Sequence, residues 1–112
     1  MNRVTASAMV GALGVACSAF GAHALRGAVT DARLATWQTA AHQHLLHAVL
    51  LMVLALAAPD RKLSWNLIFA GVVVFGGSLY TLVLTDIGAL GAITPIGGVL
   101  LILGWLSLAR RG

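Results

Sequence analysis

The stretch Leu63–Thr85, LSWNLIFAGVVVFGGSLYTLVLT, runs for 23 residues without a charge. About 20 mostly apolar residues, rising 1.5 Å each, cross a hydrocarbon core of roughly 30 Å. Outward from this stretch, charged residues fence off three more runs of the same kind. Val4–Leu25 has 22 residues, Leu34–Pro59 has 26 and Ile87–Ala109 has 23. Across 112 residues, seven Lys/Arg and three Asp/Glu make 9% charged, against roughly a quarter in a soluble domain. The expected fold is therefore an all-α, integral membrane four-helix bundle in a single transmembrane domain, residues 1–112. Its spans lie near residues 4–23, 40–58, 63–84 and 94–109. A soluble globule, a disordered tail and a nucleic-acid binder are excluded, and the lipid bilayer is the first partner. The formal net charge of +4 comes from a few cations placed in loops, not from a basic patch.

Met1-Asn2-Arg3, an apolar run and Ala22-His23-Ala24 also have the outline of a secretory signal peptide. The run is longer than a usual signal core, and Gly14 occupies the place where a lipoprotein signal ending at Cys17 needs Leu. The first run is therefore expected to remain as a helix. Cys17 is the only cysteine, so no internal disulfide forms. With the N-terminus cytoplasmic, the inner side holds Arg3, Arg61, Lys62, Arg110 and Arg111, and the outer side holds only Arg26 and Arg33. That bias puts both termini inside. Trp65 and Trp105 then fall near the inner boundary, and Trp37 and Tyr80 near the outer one, where amphipathic rings settle.

Small residues at Ser7, Gly11, Gly14, Ser18 and Gly21 repeat every 3.5 residues along the first span. Such a seam lets helix backbones approach closely, and Gly77 is read as a further packing position. The second helix starts at a Thr30 or Asp31 cap and extends to Ala58, with an interfacial amphipathic beginning. Pro59-Asp60-Arg61-Lys62 turns the chain back. Thr94-Pro95 reads as an N-cap followed by proline at the first helical position. A helix from Pro95 to Ala109 is only about 22 Å long, which leaves two alternatives. Either residues 87–93 are also helical and Pro95 kinks the span, or residues 88–93 enter the membrane as irregular backbone. The second would aim free N–H groups around Ile96, Gly97 and Gly98 at a cavity near the outer leaflet, a known way to build a binding site, and makes Thr94, Gly97 and Gly98 the candidate helix-start site.

His23, His42, His44 and His47 all map toward the outer half, together with Tyr80, Thr85, Asp86 and Thr94. His44 and His47 share a helix face, and Gln43 neighbours His47 at i+4. Intramembrane ionisable groups are functional candidates, so His23, His44, His47, Gln43 and Tyr80 form the candidate polar cluster. His23 and His47 are the candidate pair for a metal or haem. The competing reading is a hydrogen-bonded cluster that fixes helix register. His-Glu-x-x-His, paired cysteines, serine nucleophile motifs and phosphate loops are absent from the sequence. Asp86 is read as a turn residue with Thr85 and Gly88.

Phe20-Gly21-Ala22-His23-Ala24-Leu25 resembles the signature of the YgdD/YwdK-type family of small inner-membrane proteins of unknown function. Trp37, Thr39-Ala40 and His47-Ala48 match a second segment. Gly77-Ser78-Leu79-Tyr80, Leu84-Thr85, Leu90 through Gly98 and Gly104-Trp105 match its C-terminal half. Gly76 stands where Ser is expected, and Asp86 where Gly is usual. The resemblance implies a compact inner-membrane protein and supplies no reaction or ligand. The leading functional expectation is a non-enzymatic membrane subunit or self-associating bundle, in a homo-oligomer or a larger membrane complex. The alternative is a protein that binds lipid, quinone, haem or metal at the histidine cluster. An oligomeric transporter is the third reading. No cofactor is specified.

Overall fold

The computed structural model describes residues 1–110. Its helices are α1 (Arg3–His23), α2 (Asp31–Ala57), α3 (Lys62–Thr85) and α4 (Thr94–Leu108), with a 3-10 turn over Gly88–Ala92 leading into α4. The molecule measures 48 × 25 × 21 Å. Its four crossings, the last running from Gly88 to Leu108, are long and apolar enough to span a membrane.

Local chemistry sets the helix ends. The Asn2 side chain accepts from the Thr5 N–H, and the Thr30 hydroxyl accepts from the Arg33 N–H, satisfying donors that a first turn leaves unpaired. α3 stops at Asp86, which adopts a left-handed conformation at φ 58°, one of the few non-glycine residue types that tolerates it. Its carboxylate also accepts from Arg33 Nε at 2.8 Å, so Asp86 ties the end of α3 to the start of α2.

At the opposite end Arg61 donates to the carbonyls of Ser107 (3.4 Å) and Arg110 (2.5 Å), and Arg3 donates to Asn66 (3.2 Å). The start of α1, the α2–α3 turn and the end of α4 therefore meet at one end with Arg3, Arg61, Lys62 and Arg110. Arg111 lies outside the described residues. Arg26 and Arg33 occupy the other end with Asp31 and Asp86.

The start of the fourth crossing follows the first sequence alternative in that residues 88–92 are helical, but as a 3-10 turn rather than an α-helix kinked at Pro95. The 3-10 turn contributes about 10 Å and α4 about 22 Å, which together complete the hydrocarbon thickness. Thr94 is not the cap. Ile93 holds that position without a side-chain bond, and Pro95 lies in the first turn. The Thr94 hydroxyl is engaged instead with Ser78 Oγ at 2.8 Å.

α1 packs on α2, α2 on α3 and α3 on α4, whereas the Cα atoms of α1 and α3 nowhere approach within 8 Å. Leu51, Leu54, Trp65, Ile68, Val72 and Leu101 form the core toward the Arg61 end. Leu25, Trp37, Leu82 and Val83 form it toward the Asp86 end. Backbones come closest where glycines face α3 or a bulky ring. A Cβ on Gly97 would collide with the Phe75 backbone, and one on Gly71 would lie 2.7 Å from Leu101 Cδ2. Gly77 is a correction to the sequence reading. It is exposed with open space beyond it, and its neighbour Gly76 is the buried one.

Candidate functional site

A helical side chain leans toward the N-terminus and covers the turn before its own Cα. Glycine at i+4 therefore uncovers the carbonyl of residue i, which can accept a second hydrogen bond. α1 uses this device at seven-residue intervals. Gly14 uncovers the Val10 carbonyl, which lies 2.8 Å from His44 Nε2. Gly21 uncovers the Cys17 carbonyl, which accepts from Trp37 Nε1 at 2.7 Å. One heptad earlier, Ser7 donates to the Arg3 carbonyl (2.7 Å) and accepts from Trp65 Nε1 (3.1 Å). The seam is thus a ladder of three rungs. Gly14 faces His44 and Leu45, Gly21 faces Trp37, a Cβ on Gly11 would lie 3.9 Å from the Ala48 Cβ, and Ser18 is exposed.

The rungs assign the protons on both buried imidazoles. A carbonyl only accepts, so His44 Nε2–H donates to Val10. His44 Nδ1 then carries the lone pair and accepts from the Tyr80 hydroxyl at 2.9 Å. His47 has the opposite tautomer: its Nδ1–H donates to the Gln43 carbonyl at 2.8 Å, and its Nε2 accepts from Trp105 Nε1 at 3.0 Å. Each ring's lone pair is occupied. A metal or haem iron binding at either ring has to displace an interhelical bond first.

The candidate cluster is divided by the fold. His44 and Tyr80 are joined across α2 and α3, and His44 also reaches α1. His47 points away toward α4. Gln43 contributes its backbone carbonyl. His23, the last residue of α1, and His42 are exposed, so His23 and His47 do not form a pair. Among the described residues, no three His, Cys, Asp or Glu side chains are placed to hold a metal ion. At the helix-start candidate Gly97 packs on Phe75 and Thr94 bonds Ser78, while Gly98 faces open space, so the three do not converge on one site.

Polar groups are spread along the length of the bundle. His44 stands at the midpoint of α2, thirteen residues from either end, and His47 lies ten residues from Ala57. Near the Arg61 end, Ser64 Oγ lies 2.6 Å from Ser107 Oγ, beside the Ser7–Trp65 rung. Sequence reasoning treated the tryptophans as boundary anchors, yet Trp37 and Trp65 are buried and all three indoles donate between helices. The available signal was the requirement that an indole N–H in hydrocarbon find an acceptor.

Tyr80→Phe isolates one rung, because the ring keeps its packing on Trp37 (centroids 4.5 Å apart). Interhelical hydrogen bonds in membranes average ~0.6 kcal/mol and reach ~1.7. Equilibrium unfolding in mixed detergent micelles should show a loss within that span. A loss above about 3 kcal/mol would give the hydroxyl a role beyond this bond.

The family model described as "Protein of unknown function (DUF423)" matches residues 17–98. A UPF0382 membrane protein of Staphylococcus aureus (strain bovine RF122) is 44% identical over 100 residues, covering 86% of this chain and 82% of its own length. A Staphylococcus epidermidis relative of the same name matches equally, at 44% over 100 residues with the same coverage. The UPF0382 membrane protein YwdK of Bacillus subtilis is 46% identical over 105 residues, covering 86% of this chain and 83% of its own. No solved structure matches the chain.

Proposed function

The chain belongs to the DUF423 family of unknown function and is a small integral membrane protein like its relatives; from that premise we propose that it is a non-catalytic bundle acting by association, as a subunit of a larger membrane complex or with copies of itself. One observation carries this reading. The buried rings of His44 and His47 are both committed to bonds that hold helices in register. What the bundle offers outward is a rigid, apolar side, including Ile96, Val99, Leu103 and Leu106 of α4, all exposed.

The same proposal places the chain in the cytoplasmic (inner) membrane with both termini inside. Support comes from Arg3, Arg61, Lys62 and Arg110 at one end, against Arg26 and Arg33 at the other. Arg33 is further paired with Asp86.

Fluorescent fusions at either terminus, counted by single-molecule photobleaching in native membranes, test both parts. Two or more copies per spot, or a stoichiometric protein co-purifying in mild detergent, is the expected result, with both fusions reporting the cytoplasm. Single-step bleaching with no companion protein overturns the association. Fusions in opposite compartments overturn the topology.

A further inference from the structure

Between α1 and α3, which run parallel on either side of α2, lies a cleft of about 620 Å³. Met9, Leu13 and Ala16 wall one side, and Phe69, Val73 and Gly77 the other. Met9, Leu13 and Val73 are each more than half exposed, so the cleft opens sideways, toward lipid. His44 and Tyr80 line its far end with their polar atoms already bonded to each other and to Val10. At the near end a second hollow of about 470 Å³ adjoins it, since Met1 and Ala6 line both.

Arg3 stands in that second hollow. Its guanidinium lies over the Trp65 ring at 5.3 Å, and one terminal nitrogen donates to Asn66. Its Nε is buried with no hydrogen-bond partner among the described residues. A buried donor without an acceptor is costly, and a guanidinium fork matches the oxygens of a phosphate. Lys62, Arg61 and Arg110 gather at the same end against the single acid Asp60, so the charge there favours an anion.

Length and charge point to what lies in the cleft. From Arg3 to Ala16 is about 20 Å along α1, close to one leaflet of hydrocarbon (about 15 Å) plus its headgroup layer. The apolar walls suit a hydrocarbon chain, and the Arg3 guanidinium at its end suits the phosphate of the same lipid. We propose that the α1–α3 cleft holds one acyl chain of an anionic phospholipid whose phosphate is bound by Arg3.

Native mass spectrometry of the full-length protein tests this after equilibration with phosphatidylglycerol or phosphatidylcholine of identical chains. Retention of phosphatidylglycerol should exceed that of phosphatidylcholine about fivefold, the factor expected of one cation near an anionic headgroup. Arg3→Gln should abolish the preference while lipid of either kind still binds, and Arg3→Lys should restore part of it. Lys62→Gln should leave it intact. Gly77→Phe, which fills the cleft where a side chain meets open space, should remove both lipids with helical circular dichroism unchanged. Equal retention of the two lipids by the native chain overturns the proposal. So does a preference that survives Arg3→Gln, or one that Lys62→Gln abolishes equally, since either reports diffuse surface charge. Undiminished lipid on Gly77→Phe places the chain elsewhere and overturns the cleft.

Discussion

Gly97→Ala should destabilise the folded bundle by about 3 kcal/mol, the upper part of the range for overpacking, whereas Gly98→Ala should be neutral or stabilising by up to ~1 kcal/mol. One methyl group at adjacent positions thus has opposite signs. A Cβ on Gly97 would lie 2.7 Å from Phe75 Cα and 2.8 Å from Phe75 Cβ, and closer still to the Phe75 nitrogen. These are mainly backbone atoms, so no rotamer change relieves them. The helices must part by about 1 Å to restore ordinary van der Waals contact. That movement also pulls Thr94 from Ser78, one turn away on each helix. A Cβ on Gly98 meets nothing within 4 Å, so only the gain in helix propensity remains. Equilibrium unfolding of both variants in mixed micelles decides the matter, and equal effects would mean that α3 and α4 are not packed through Gly97.

The contrast between those two glycines shows where the sequence stops being informative. Four crossings were legible because an unpaired charge in hydrocarbon is expensive, so ten charged residues mark the boundaries unaided. The seam on α1 was legible because its repeat is a property of one helix. What opposes the seam is a property of two. Adjacent residues on a helix differ by about 100°, and nothing in Gly76-Gly77 states which of the pair α3 turns inward. The sequence reading chose Gly77, and Gly76 is the buried one. Thr94 reads as a cap from local chemistry, but Ser78 from a segment 16 residues earlier takes its hydroxyl. Likewise the spacing of His44 and His47 gives a shared helix face, without showing that one ring turns to α1 and α3 while the other turns to α4. Trp105 near a boundary looks like a lipid anchor until His47 Nε2 is found 3.0 Å from its indole nitrogen.

The ladder makes the sharpest energetic claim. Trp37→Ala should cost about 3 kcal/mol, at the low end of aromatic truncations in cores. A bilayer removes the transfer component, because the released ring still rests in lipid. What is lost is contact with Phe20 and Tyr80, at centroid distances of 5.5 and 4.5 Å, and the bond to the Cys17 carbonyl. Gly21→Ala should cost about 2 kcal/mol by a different route, since its Cβ would lie 2.5 Å from Trp37 Cδ1 and 2.8 Å from Nε1 and would drive the indole off its acceptor. If the indole and the bare backbone of Gly21 form one unit, the two losses overlap. The double variant should then be no less stable than Trp37→Ala alone, because the new methyl group enters the space the ring has left. A cycle of the four proteins, unfolded under the same micelle conditions, measures that coupling directly. Strict additivity of the two losses would show that Gly21 is small for some reason other than Trp37. The seven-residue ladder would then be a coincidence of spacing.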